Sequence, residues 1–143
     1  MAKPSPVRIV MAEDSGADVA LVKETLHAVG LAVELTVFPD GEECARYLRT
    51  NEEPPDALIF DLNLPRIDGF GLLRVVRGDR RYDCVPVVML TSSGLAEDRQ
   101  MSLDLGASAF ITKPSTLDDF LETVGSAIRA LLAPGPAGPP RVV

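Results

Sequence analysis

A chain of 143 residues, 46% hydrophobic and 24% charged, has the composition of an ordinary folded protein and enough apolar material for one domain with one core. Its 21 acids against 14 bases leave a net charge of −7, which opposes binding to nucleic acid or anionic membranes and is compatible with a concentrated acidic site for a cation. No apolar stretch approaches a membrane span, no signal-peptide pattern opens the chain, and Cys44 and Cys84 fit no metal or redox spacing, so reduced cysteines and a cytoplasmic location are expected.

Residues 1–6 read as a flexible leader and 133–143 as a Pro/Gly-rich disordered tail, because proline removes backbone donors and glycine adds chain entropy. An extended recognition segment is the alternative for that tail. Between them, residues 7–132 form one domain of alternating periodicity. Val7 to Ala12 is a short apolar, β-branched run and reads as a strand. Ala17 to Val29 carries Val19, Leu21, Val22, Leu26 and Val29 at helical spacing, with Gly30 placed to stop it. Val33 to Phe38 is strand-like, and Gly41 to Arg49 is helical. Ala57 to Phe60 is unbroken in its apolar character, which marks a strand buried on both faces. Gly71 to Arg77 is a helix and Val85 to Leu90 a strand, with Pro86 tolerable near its start. Ala96 to Leu105 is a helix closed by Gly106, Ala109 to Thr112 a strand, and Leu117 to Leu132 a final helix. Five strands alternating with five helices predict an α/β fold, a five-stranded parallel sheet of flavodoxin-like order 2-1-3-4-5 with helices on both faces and ligands at the carboxyl ends of the strands.

The chemistry-bearing side chains stand just past the strands. The first strand ends in Glu13-Asp14, the third in Asp61, the fourth in Thr91-Ser92-Ser93 and the fifth in Lys113-Pro114. In a parallel sheet these positions share one edge, which gathers three carboxylates, a hydroxyl and an ammonium. Carboxylates packed together need compensation. A hard divalent cation such as Mg²⁺ (magnesium) suits a shallow site of carboxylates, a backbone carbonyl and waters, and Lys113 supplies a compact charge for a phosphoryl oxygen. A carboxylate nucleophile, a metal and fixed positive charge are the parts phosphoryl transfer needs. Each residue also has a plain structural reading: Asp61 as a turn former, Glu13-Asp14-Ser15 as a helix N-cap with acids complementing the dipole, Thr91 as a cap. Lys113 before a proline has no such reading, and four accidents on one sheet edge are a poorer account than one site.

At these residues the sequence resembles the receiver domain of two-component response regulators, over about Val7 to Leu132. The resemblance rests on Glu13-Asp14, on Asp61-Leu62-Asn63-Leu64-Pro65 with Asp68-Gly69, on Thr91-Ser92 and on Lys113-Pro114. It implies Asp61 as phosphoacceptor, with Mg²⁺ held by Asp14, Asp61 and the Asn63 carbonyl, and by Glu13 through water. Thr91 would hydrogen-bond the phosphoryl group, Lys113 would pair with it, and the bond to Pro114 would be cis. Pro65 and Gly69 would shape the loop after the third strand. Phe110 stands where the family has an aromatic switch, often tyrosine, and plain core is the alternative. The segments from Asp61 to Phe70 and from Phe110 to Phe120 look like the receivers paired with bacterial phytochrome kinases, which implies a sensor histidine kinase partner and a possible homodimer through the fourth helix, fifth strand and fifth helix.

The expected function is therefore that of a single-domain response regulator in a phosphorelay, a phosphoacceptor that assists its own phosphorylation and dephosphorylation rather than an enzyme with a separate substrate. The chain after Leu132 leaves no room for a DNA-binding output domain, so a protein contact, a downstream phosphotransfer partner or a dimerisation change is the expected output. An Mg²⁺-dependent phosphatase of the haloacid dehalogenase type is one rival, but that class has a second Asp where Asn63 stands. A phosphorylation-independent interaction module is the other, opposed by the intact Glu13, Asp14, Thr91 and Lys113. His27 reads as a surface or boundary residue. Arg74, Arg77, Arg80 and Arg81 form a basic cluster, read as a solvated face with a docking patch as the alternative.

Overall fold

A computed structural model describes residues 6–132. Residues 1–5 of the expected leader at 1–6, and the whole expected tail at 133–143, lie outside the described residues. Five parallel strands, β1 (Val7–Ala12), β2 (Val33–Phe38), β3 (Ala57–Phe60), β4 (Val87–Thr91) and β5 (Ala109–Thr112), form one sheet in the order β2-β1-β3-β4-β5. Five helices connect them: α1 (Gly16–Ala28), α2 (Gly41–Thr50), α3 (Gly69–Arg77), α4 (Ala96–Asp104) and α5 (Leu117–Leu132). This is the flavodoxin-like order expected from the alternation of periods.

Side chains alternate along each strand, so the central strands feed two cores. Val10, Ala12, Leu58, Phe60 and Met89 point to the face covered by α2 and α3, where they meet Leu48, Leu72, Leu73 and Val76. Ile9, Met11, Ile59, Val88 and Leu90 point to the other face, against Val22, Leu26, Phe120, Val124 and Ile128 of α1 and α5. Each fully buried Leu, Ile or Phe there contributes about 2 kcal/mol through area removed from water. Helix starts are set by side-chain caps: Ser15, Asp40 and Asp68 accept from backbone amides of α1, α2 and α3. At the helix ends, Gly30 and Gly106 adopt φ of 75° and 105°, a left-handed conformation that other residues seldom take.

Three departures from the sequence reading have local causes. β4 begins at Val87, because Pro86 has no amide to donate and contributes only its carbonyl, to Leu58 N at 2.9 Å. α3 begins two residues earlier than its apolar period suggests, because the Asp68 carboxylate accepts from Gly71 N at 2.9 Å and so caps a turn that starts at Gly69. A single 3-10 turn at Arg80–Tyr82 inserts the fully buried Tyr82 under α2, its hydroxyl donating to Leu48 O.

The arginine cluster is corrected too. Arg77 is half-buried and donates to the carbonyls of Gly106, Tyr82 and Val85 at 2.7–2.9 Å. Arg81 donates to the carbonyls at the end of α2, those of Leu48, Arg49 and Asn51, while pairing with Asp79. These two are ties between chain segments, although Arg81 is exposed like Arg74 and Arg80. His27 is exposed, as expected, and of the two free thiols Cys44 is buried and Cys84 exposed.

Candidate functional site

Strand register places the candidate residues level with one another. Ala12 is opposite Phe60 and Thr91 opposite Thr112, so the residues that leave the carboxyl ends of β1, β3, β4 and β5 emerge on one edge. Asp61 N donates to Ala12 O at 3.1 Å and Lys113 N to Thr91 O at 2.7 Å, which extends the ladder one step past the strands. Carboxylate oxygens of Glu13, Asp14 and Asp61 lie within 4.8 Å of one another, with Glu13 and Asp61 buried and Asp14 exposed. A set of three hard oxygen donors, open on one side, fits a divalent cation of the Mg²⁺ or Ca²⁺ kind and does not fit a thiolate- or imidazole-seeking metal.

The ammonium of Lys113 reaches into this cluster. Its Nζ lies 2.8 Å from Glu13 Oε1, 3.2 Å from Asp61 Oδ2 and 2.7 Å from Asp18 Oδ2. Burial alone would lower the Lys113 pKa, but the hydrogen bonds to Asp18 and Glu13 and the charge of Asp61 outweigh it and hold the side chain charged. Glu13 goes the other way. Burial pushes its carboxyl up to about 7, against the opposing pull of its hydrogen bonds from Lys113 and Ser15 N, and the neighbouring Asp61 charge adds to the rise.

The loop after β3 is held by backbone contacts that admit only glycine. A Cβ on Gly69 would lie 2.4 Å from Asp61 O, and a Cβ on Gly41 1.7 Å from Ile67 O. Gly69 N donates to Leu62 O and Gly41 N to Pro65 O, while Arg66, at φ 71°, pairs with Asp40 at 2.8 Å. The loop is thereby pinned to the start of α2, and Asn63 N donates to Asp61 Oδ1 at 3.3 Å.

Of the residues singled out from sequence, Glu13, Asp14, Asp61 and Lys113 come together, and Asn63 joins them through its amide. Thr91 is buried at the adjacent strand end, and its hydroxyl accepts from Ser93 N at 3.3 Å rather than touching the acids. Phe110 is buried, with its carbonyl accepting from Arg99. The cis bond at Pro114 is not found, since the described residues contain no cis peptide. Trans remains favoured by about 0.5–1 kcal/mol even before proline, and with its amide fixed on Thr91 the Lys113 side chain already reaches the acids. One participant was missed. Asp18, three residues after the Ser15 cap, was not singled out, because spacing alone gives no sign that it meets a lysine 95 positions away.

A family model described as the response regulator receiver domain matches residues 9–125. The chain belongs to that family. Receiver domains are the phosphorylated half of two-component systems, which fits an acidic edge with a fixed lysine. The receiver is 34% identical over 125 residues to the transcriptional regulatory protein TrcR of Mycobacterium tuberculosis, covering 87% of this chain and 46% of TrcR. It thus spans about half the length of TrcR, and likewise 49% of the regulator RpaA of Synechocystis. Against the response regulator Rcp1 of Synechocystis it is 32% identical, over 83% of this chain and 84% of Rcp1. Among solved structures, the phosphorylated cyanobacterial phytochrome response regulator RcpA superposes with a TM-score of 0.84 at 31% identity, covering 95% of this chain and 99% of RcpA. The Mn²⁺-bound form of Rcp1 superposes at 0.82 with 30% identity, over 94% and 99%.

Proposed function

We propose that this receiver accepts a phosphoryl group from a sensor histidine kinase onto Asp61 and signals through the surface formed by α4, β5 and α5. The observation that carries this reading is the placement of Lys113 Nζ 3.2 Å from the buried Asp61 carboxylate, inside a cluster of acids able to hold a cation. In the transfer, an Asp61 oxygen attacks phosphorus, the P–N bond to the kinase histidine breaks, and its electron pair returns to the imidazole nitrogen. Asp61 gains a mixed anhydride, and a proton taken up from solvent on the other ring nitrogen lets the kinase histidine leave as neutral imidazole. Lys113 offsets charge on the phosphoryl oxygens throughout, from a position that requires no reorganisation. Asp14, Asp61 and the Asn63 carbonyl, with Glu13 through water, would hold Mg²⁺, which would supply the positive charge that an anionic donor needs beside three carboxylates.

Thr91 then has a reason to move. Its hydroxyl now accepts a bond from Ser93 N, and a phosphoryl oxygen on Asp61 offers it an acceptor in return for its proton. Turning Thr91 frees space beside β5, where Phe110 is the aromatic available to follow, and so biases a pre-existing equilibrium of α4 and β5. An open, largely apolar groove between these elements, lined by Phe110, Ile111, Thr112 and Ala127 with Arg99 and Glu122, supports this face as the place where a second copy or a downstream protein binds. The likeness to RcpA supports a phytochrome-type kinase as the phosphoryl source, and with no described helix long and apolar enough to cross a membrane we place the encounter in the cytoplasm.

Incubation with acetyl phosphate and Mg²⁺, followed by intact-mass measurement, tests the central step. A gain of one phosphoryl group is expected, abolished by Asp61→Asn and by chelation of the metal. Labelling that persists in Asp61→Asn would remove Asp61 from its role.

A further inference from the structure

Lys113 has three anionic partners, and they are not equivalent. Glu13 and Asp61 belong to the group of acids whose oxygens lie within 4.8 Å of one another, and Asp18 does not. A divalent cation among Glu13, Asp14 and Asp61 would draw on the same carboxylates that face the ammonium and would itself repel it. Two of the three partners are therefore weakened at the moment Lys113 is needed. Asp18 keeps its full charge, and its contact is the shortest of the three at 2.7 Å.

The local structure shows why this carboxylate is available. Ser15 caps α1, its hydroxyl accepting from Asp18 N at 3.3 Å. In a reciprocal capping box the acid three residues on would reach back to the amide of the cap residue. Here Glu13 Oε2 takes the Ser15 amide instead, at 3.1 Å. Asp18 is thus released from the capping role its position suggests, while its backbone stays fixed by the cap. Its side chain is about a quarter exposed and that of Lys113 about a tenth, so the pair is shielded enough for its geometry to matter.

We infer that Asp18 is a positioning residue for Lys113, the anchor that keeps the ammonium aimed at Asp61 once a divalent cation has engaged the other acids. This rests on the phosphoacceptor reading of the site and assigns a role to a residue outside it. Asp18 touches neither the reacting oxygen nor the cation cluster. It acts through the lysine.

The test observes the lysine directly. The full chain has three lysines, Lys3, Lys23 and Lys113, so the side-chain ammonium signals in ¹⁵N NMR are few, and the Lys113 signal is assigned by its loss in Lys113→Met. In the wild type this slowly exchanging signal is expected with and without Mg²⁺. In Asp18→Asn it is expected without Mg²⁺, where Glu13 and Asp61 still hold the ammonium and its presence also certifies the fold, and it is expected to vanish into exchange when Mg²⁺ is added. At saturating Mg²⁺, labelling of Asp18→Asn by acetyl phosphate should slow about tenfold, the order of effect expected when a charge-stabilising group is held less well. Asp18→Glu should restore part of both the signal and the rate. A Lys113 signal in Asp18→Asn that survives Mg²⁺ overturns the inference, as does a labelling rate within about twofold of the wild type. If the wild type itself takes no phosphoryl group, the phosphoacceptor reading fails, and the response of the Lys113 signal to Mg²⁺ alone decides the role of Asp18.

Discussion

α3 and α4 are each nine residues long, yet they are built in opposite ways. α3 is capped by the Asp68 carboxylate and buries Gly69, Leu72, Leu73 and Val76. α4 starts at Ala96 after Leu95, which offers no side-chain cap, and the one residue it buries is Ser102. Leu95 and Met101 are among the exposed large hydrophobic residues of the described chain. A helix owes most of its stability in a protein to the apolar face it packs, so α3 is part of the scaffold and α4 is only loosely attached to it. The Asp61 loop is anchored to the scaffold side, by Gly41, Arg66 and Gly69. The Thr91 and Lys113 strand ends border the loose side. Asp61 is held rigid while the element beside Thr91 and Lys113 has little to keep it in place, which is the division the proposed switch needs.

The largest expected effect breaks the scaffold side. Leu73→Ala should lower global stability by about 3 kcal/mol, as truncation of a fully buried leucine does, whereas Leu103→Ala in α4, at a half-buried position, should cost under about 1 kcal/mol. Urea melts of the two variants check this, and equal losses would mean that α4 is as well packed as α3.

A second effect separates global from local stability through pH. The Glu13 carboxyl titrates near 7 in the folded protein against 4.5 in an open chain. Between those values the folded state binds more protons than the unfolded one, so stability falls as pH rises from about 4.5 to 7 and is lowest above it. The metal-free protein should therefore melt at a lower urea concentration at pH 7.5 than at pH 5, and Glu13→Gln should flatten that slope. Hydrogen exchange in α4, corrected for intrinsic rates, should hardly follow this trend, because α4 opens without unfolding the site.

Cap exchange is a finer probe. Asp68→Ala should destabilise by about 1 kcal/mol, and Leu95→Ser, which offers α4 the cap it lacks, should slow its exchange by a similar free energy. By stiffening the responsive element, Leu95→Ser should also blunt any phosphorylation-dependent change in the α4 amides.

The strands were legible because unbroken apolar runs such as Ala57–Phe60 and β-branched runs such as Val7–Ala12 have few other uses, and the order of the sheet followed from their alternation with helices. The acidic edge followed in turn, since topology alone brings the ends of four strands together. Contacts made by long side chains across the fold stayed hidden. Arg77 and Arg81 looked like surface charge because the carbonyls they bind, in Gly106, Tyr82, Val85 and the end of α2, lie up to 33 residues away in segments that pattern cannot pair. Asp18 stayed hidden for the same reason, since the lysine it meets stands 95 residues away. The looseness of α4 was not legible either, because helical period and burial are separate properties and only the first is written in spacing.

The smallest predicted effect tests what α4 does bury. The Ser102 hydroxyl is fully buried and is the one buried side-chain polar atom without a hydrogen-bond partner among the described residues. Desolvating a hydroxyl without a partner costs on the order of 1 kcal/mol, so in place of an apolar anchor α4 carries a small penalty at its only point of burial. Ser102→Ala removes that penalty, leaves no cavity larger than one oxygen and raises helix propensity. It should stabilise the protein by up to about 1 kcal/mol, with slowed exchange concentrated in α4 rather than spread over the sheet. A measurable loss of stability would show instead that the hydroxyl has a partner in solution, such as a buried water, and that α4 is fastened to the sheet more firmly than its apolar contacts suggest.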